Sequence, residues 1–274
     1  MAFLPPGFSR RELDGAVAVL RDDVATALVA AGVAAPESLR RRADAAYEGR
    51  GAPFGVEVPG AGRVFVRQYL HGGALRKVTR DLYRGEGRFS AELAALTGAA
   101  TAGVPVPEAL GFVSVAAGLG LRRGWLLARE VPGAVDVLRF LCDAPPAARR
   151  REVLAASGRA VRALHDAGFE HPDLHLKNLL LTPQGAVLVL DLDKAERVGE
   201  VTREMRLAAL FRFDRYAAKQ AAAALPVSRS DRLRVLRSYA GADWPAREEV
   251  RGIARRLARH IARHGSRRAE AVPG

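Results

Sequence analysis

Three oxygen-bearing side chains, Asp173, Asn178 and Asp191, stand close together in residues 171–196, HPDLHLKNLLLTPQGAVLVLDLDKAE. Two apolar runs in this stretch, residues 179–181 and 186–190, are separated by Thr-Pro-Gln-Gly, which signals a hairpin turn. Asn178 directly precedes the first run and Asp191 directly follows the second. Antiparallel strands lie ~4.8 Å apart, so the two side chains emerge at the same end of the ribbon. Asp173 sits on the loop just upstream. Three oxygen ligands or acceptors on one rim suit a hard cation such as Mg²⁺ that also holds phosphate oxygens. The competing uses are ordinary ones: Asp173 and Asn178 as loop caps, Asp191 as a strand end, and His171 as a buried, hydrogen-bonded scaffold, which is the preferred reading for that histidine.

The order His171, Asp173, Asn178, strand pair, Asp191-Leu192-Asp193 resembles the protein-kinase pattern H-x-D-x-x-x-x-N followed by an Asp-led tripeptide. The resemblance implies ATP and Mg²⁺ as cofactors, with Asp173 as the catalytic base or hydroxyl-orienting group and Asn178 and Asp191 as metal ligands. A narrower resemblance rests on VFVRQYLHGGALRKVTRDLYRG, GVPVPEALGFV and WLLAREVPG, with Gly72-Gly73 and the D-x-D sequence as its more specific marks. These are similar to the lipopolysaccharide core sugar kinases, which act on 3-deoxy-D-manno-octulosonic acid (Kdo) or heptose, over about residues 47–240.

That family resemblance assigns the other half of the site. Gly49-Arg50-Gly51 would form the turn over the nucleotide phosphates, although a lone G-x-G is more often just a turn. Glu92 would pair with a cation on the third strand, its bland alternative being an exposed helix carboxylate. Glu130 and Val131 would offer backbone groups to adenine. Kinases normally carry Lys on the third strand, where this sequence has Arg67. Arg is permanently charged and binds phosphate as a planar fork, so it can neutralise phosphate with altered geometry. Lys77 is the fallback. No A-P-E follows Asp193, and the short segment suits a small-molecule kinase. His175 is either near phosphate or, more ordinarily, a packed loop histidine.

The elements that must position these groups are partly legible. Leu13, Val17, Val19, Leu20, Val24 and Leu28 recur at roughly helical spacing, so residues 1–48 read as a helical extension, with a second short helix from Glu37 to about Tyr47. Glycines at 49, 51, 55, 60 and 62 then punctuate short apolar runs, which predicts β-hairpins. A helix is expected over 86–100, with Phe89, Leu93 and Leu96 on one face and Glu92 between them. Strands are expected over 109–115 and 125–130, and a helix lined by Val153, Leu154, Val161 and Leu164 ends at Gly168. Helices resume at about Thr202 and run to the C-terminus, with breaks near Pro226 and over 241–245. The expected architecture is α+β and protein-kinase-like: the extension (1–48), a small β-rich lobe (49–131) and a helical lobe with the catalytic loop and metal-binding hairpin (132–274).

Composition sets the partner classes. A formal net charge of +13, carried mostly by Arg, favours an anionic sugar or glycolipid substrate and peripheral contact with anionic membrane, although coding bias gives the same balance. Nucleic acid is not expected. Cys142 is the only cysteine, so an intrachain disulfide and a cysteine zinc cluster are excluded. No apolar run approaches a membrane span, and the expected location is the cytoplasm, peripheral at the inner membrane. Two other functions compete. An aminoglycoside- or choline-type phosphotransferase would need an acidic cleft, which the Arg-rich stretch 202–237 disfavours. A pseudokinase adaptor with a basic binding face would not need Asp173, Asn178 and Asp191 together.

Overall fold

The computed structural model describes residues 4–49, 51–71, 81–221 and 227–241, with Gly252, Arg255, Arg256 and Arg259 besides. Arg50, the Gly72-Gly73 pair, Lys77, Pro226 and the expected break over 242–245 lie outside the described residues. The chain divides into two compact units, Met1–Thr101 with Pro107–Val131, and Ala102–Val106 with Pro132–Gly274.

The first unit is built on a sheet whose strand pairs among the described residues are antiparallel. Its strands are β1 (Phe8–Leu13), β2 (Ala16–Arg21), β3 (Ala45–Ala46), β4 (Phe54–Val58), β5 (Gly62–Gln68), β6 (Tyr83–Arg84), β7 (Ala109–Ala116) and β8 (Leu121–Arg129). They run in the order β1-β2-β7-β8-β5-β4-β3, and β6 also pairs with β8. Helices α1 (Asp22–Ala30) and α2 (Pro36–Arg40) contribute Val24, Leu28 and Leu39 to a core that includes Leu20, Val56, Val64 and Val66. Because strand side chains alternate in direction, Val64 and Val66 enter that core while Arg63, Phe65 and Arg67 share the opposite face of β5. Helix α3 (Gly87–Thr101) packs on β7 and β8.

The N-terminal reading is corrected here. Residues 8–21 form a hairpin around Asp14-Gly15, paired from Phe8↔Arg21 to Leu13↔Ala16, and β2 continues into the sheet through β7. The second helix stops at Arg40, and Ala45–Ala46 are a strand. Residues 16–20 are apolar at every position and all buried, so a helical period finds matches there by default. The β-branched Val17 and Val19 after an Asp-Gly turn carried the strand signal. There is no separate helical extension over the described part of 1–48, which belongs to the first unit.

The second unit is mainly helical. It contains β9 (Val135–Asp136), α4 (Val137–Cys142), α5 (Ala147–Asp166), β10 (Phe169–Glu170), β11 (Leu179–Leu181), β12 (Val187–Val189), β13 (Glu196–Arg197), α6 (Arg203–Ala221) and α7 (Arg229–Ala240). Helices α5 and α7 pack side by side, and Arg150 of α5 forks onto Asp231 of α7 at 3.1 and 2.8 Å. Ser228 and Asp231 form a capping box that starts α7. Segment Ala102–Val106 belongs with this unit because the Pro105 carbonyl accepts from the Val189 N–H at 2.7 Å. Strands β12, β11 and β9 form a small sheet in that order.

Candidate active site

In the second unit the expected hairpin is present, with Leu179 opposite Val189 and Leu181 opposite Val187. The Leu190 N–H donates to the Asn178 carbonyl at 2.9 Å, which extends the ladder to the end where Asn178 and Asp191 emerge. The loop before it is anchored by three buried side chains, His171, Leu174 and Leu176, while the Asp173 side chain stands outward at 61% exposure.

His171 ties the loop to the hairpin. Its ring is fully buried, with Nε2 3.1 Å from the Leu190 carbonyl and Nδ1 3.3 Å from the Asp173 N–H. A carbonyl only accepts and an N–H only donates, so the ring carries its proton on Nε2. Burial pushes its pKa down, which keeps this neutral form. The scaffold reading of His171 therefore holds. Asn178 closes the loop from the other side, its Nδ2 donating to the Asp173 carbonyl at 2.9 Å. That bond fixes the amide orientation and leaves Oδ1 as the acceptor on offer.

Asp191 has a left-handed backbone, φ 62° and ψ 54°, at the start of a single 3₁₀ turn over Leu192–Lys194. Asp tolerates this region better than most residues, yet it still costs about 1–2 kcal/mol. Leu192, 1% exposed, holds the turn down. Among the described residues no group of three or more His, Cys, Asp or Glu side chains is placed to hold a metal alone. One carboxylate and one amide oxygen instead fit Mg²⁺, which keeps waters and takes substrate phosphate oxygens in place of a full protein cage. His175 is a packed residue, its ring stacked on Tyr216 at 4.4 Å and Nε2 3.8 Å from Asp173 Oδ1.

The first unit brings a second set together. Phe89, Glu92, Leu93 and Leu96 recur on one face of α3, so Glu92 is carried inward with its apolar neighbours. It is 1% exposed, and its Oε1 lies 2.6 Å from Arg67 Nη2. The exposed-carboxylate alternative for Glu92 is thereby overturned, and the cation it meets is Arg67 of β5. Gly49 and Gly51 lie in the loop 47–53 that joins β3 to β4, closed at its base by the Tyr47 N–H on the Pro53 carbonyl at 3.0 Å. Gly51 has φ +82°, and a Cβ there would come 2.7 Å from the Gln68 carbonyl.

Glu130 follows β8, next to Val131. Its N–H donates to the Arg63 carbonyl at 3.2 Å, so of the two residues' edges the Glu130 carbonyl and the Val131 N–H are those to consider for a base. The Glu130 side chain, 3% exposed, accepts from Arg63 at 3.0 Å on each oxygen and from the Tyr47 hydroxyl. Sequence reasoning missed Tyr47, Arg63 and Asp44 around it. The only local hint was that Arg63 shares the β5 face of Arg67.

Residues 39–239 match the model of the lipopolysaccharide kinase (Kdo/WaaP) family. A 3-deoxy-D-manno-octulosonic acid kinase of Xanthomonas oryzae pv. oryzae (strain PXO99A) is 34% identical over 150 residues, 53% of this chain and 58% of that protein. The chain thus spans little more than half the length of that relative. The protein of the same name from Xanthomonas campestris pv. campestris (strain B100) is 32% identical over 209 residues, 74% of this chain and 82% of that one. A solved structure, WaaP in complex with acyl carrier protein, aligns with TM-score 0.56 at 22% identity, covering 86% of this chain and 95% of that one. That likeness carries the α+β, protein-kinase-like fold. By its sequence match over residues 39–239, the chain belongs to the lipopolysaccharide kinase (Kdo/WaaP) family.

Proposed function

We propose that the protein transfers the γ-phosphoryl group of ATP to a hydroxyl of a lipopolysaccharide inner-core sugar, Kdo or heptose. The observation that carries this reading is the pinned loop and hairpin, in which His171 and Asn178 hold an outward Asp173 next to the strand ends that bear Asn178 and Asp191. The names of the relatives supply the acceptor class.

In this mechanism Asp173 orients the acceptor hydroxyl and takes its proton as the oxygen attacks the γ-phosphorus and the bond from that phosphorus to the β,γ-bridging oxygen breaks, releasing ADP. Its exposure lets a bulky glycolipid sugar reach it. Asn178 Oδ1 and the Asp191 carboxylate would hold Mg²⁺, which when bound offsets the negative charge of the phosphates. Arg67, held in place by Glu92, presents a guanidinium to the phosphates, and the backbone of the Gly49–Gly51 turn covers them. The Glu130 carbonyl and Val131 N–H receive the adenine edge. The +13 charge suits an anionic glycolipid and peripheral binding at anionic membrane. Among the described residues no helix is long and apolar enough to cross a membrane.

The test is ATP consumption by the purified protein with Kdo-lipid A, heptosylated core and an aminoglycoside panel. Turnover with either core acceptor and not with aminoglycosides is expected. Turnover with aminoglycosides alone would overturn the acceptor assignment, and no turnover with any acceptor would return the chain to a binding role.

A further inference from the structure

We propose that the Glu130 carboxylate is a positioning group for the nucleotide, clamping the base of the phosphate-covering loop through Tyr47 and Arg63. The inference rests on the ATP reading above and deepens it, because it assigns a task to a side chain at a position where only the backbone was expected to act.

Four segments of the first unit meet at this carboxylate. Arg63 of β5 donates to Glu130 with Nε and Nη2 at 3.0 Å, and with Nη1 and Nη2 it donates to Asp44 at 3.1 and 2.7 Å. Asp44 stands immediately before β3, at the entry to the glycine loop, where its N–H donates to the Gly55 carbonyl at 3.2 Å. Tyr47, the first residue of that loop, donates its hydroxyl to Glu130 Oε1 and lays its ring on Phe65 at 5.6 Å. Gly55 of β4 completes the seat: any Cβ there would collide with the Glu130 carboxylate, so the carboxylate lies flat on the strand leaving the loop. The strand entering the loop, the strand leaving it and β5 are thus all referred to one residue adjoining the proposed adenine edge.

A buried carboxylate paired with a half-buried arginine is weak evidence for added stability, and the contribution inferred here is a defined geometry. Here each partner is directional: a bidentate guanidinium fork and a phenol whose burial, reinforced by the neighbouring carboxylate, pushes its pKa up to about 12, so it stays a hydrogen donor across the working range. Further along the same face of β5, Arg67 stands where the phosphates are proposed to lie. The network therefore acts on the phosphate half of the nucleotide through the loop, and on the base through nothing but the fixed backbone of Glu130.

Tyr47→Phe removes one hydroxyl and leaves the ring on Phe65. Affinities for Mg²⁺-ATP and for adenosine are measured by titration in the parent, Tyr47→Phe, Glu130→Gln and the double variant, each checked by thermal melting. Loss of one hydrogen bond to a charged acceptor predicts roughly tenfold weaker ATP binding in Tyr47→Phe, with adenosine affinity within twofold of the parent. The double variant should bind ATP little worse than the weaker of the two single variants, because both substitutions act on one connected network. Equal losses for ATP and adenosine, or unchanged ATP affinity in a folded Tyr47→Phe, would overturn the proposal and leave the kinase reading intact. A parent that binds neither ligand would overturn the kinase reading and the clamp with it.

Discussion

Arg67 is proposed to serve the phosphates as a lysine does in most kinases, and its replacement separates a structural role from a chemical one. Arg67→Ala removes the cation from a carboxylate that is 1% exposed, whereas Arg67 itself is 24% exposed. Removing one partner of a buried pair costs about 3–5 kcal/mol. Glu92 has interactions besides this pair, which places the loss near the lower figure, about 3 kcal/mol. For a chain of this size that corresponds to a fall of roughly 6–12 °C in melting temperature. Arg67→Lys keeps the charge on a more mobile stem, so ATP affinity should stay within a few-fold of the parent. The decisive variant combines Arg67→Ala with Glu92→Gln. Its stranded carboxylate is gone, so most of the stability should return, but ATP affinity should remain low because the phosphates still lack their cation. Thermal melting and nucleotide titration on the four proteins read both quantities. If the double variant recovers ATP affinity together with stability, Arg67 serves only to neutralise Glu92 and the phosphate role is refuted.

The two aspartates should separate in the same assays. Asp173→Asn should lower turnover by ~10² to 10⁴ with Mg²⁺-ATP affinity near the parent, whereas Asp191→Asn should raise the Mg²⁺ requirement and nearly abolish turnover; equal loss of nucleotide binding in both would refute the division of roles. Acid stability should reflect His165, which is fully buried with Nδ1 2.8 Å from the Tyr239 hydroxyl and whose pKa burial lowers to about 4. The unfolded chain takes up that proton first, so this contribution is complete above about pH 6.5 and is lost as pH falls toward 4, about 3 kcal/mol in all. His171 is shifted in the same direction, so His165→Gln should flatten part of the decline in denaturant midpoint over that window; an unchanged slope would refute the assignment. Vesicles bearing anionic lipid or lipopolysaccharide should bind at low salt and release at high salt, since the screening length is ~10 Å at 0.1 M, and equal binding to neutral vesicles would refute an electrostatic docking face.

The 171–178 loop and the hairpin after it were legible because all their determinants are local. Turn chemistry, two apolar runs and three polar residues lie within one contiguous stretch, and strand pairing across a short turn leaves little choice of register. The same locality allowed His171 to be read as scaffold. Helix α3 was legible from its apolar face, and even Glu92 was marked by its place between Phe89 and Leu93. What that carboxylate met was not legible. Its partner lies 25 residues away on a strand whose neighbour in the sheet, β8, comes from much later in the chain. Glu130, Arg63, Asp44 and Tyr47 converge for the same reason, and their separations in sequence carry no period that could announce them. The N-terminal strands were misread because a run apolar at every position satisfies any period, so only the sheet that buries both of its faces decides between helix and strand. Local spacing thus determined which groups could do chemistry on the hairpin, while the folded sheet decided which cation, carboxylate and phenol stand together, because contacts between distant segments are set by packing and not by spacing along the chain.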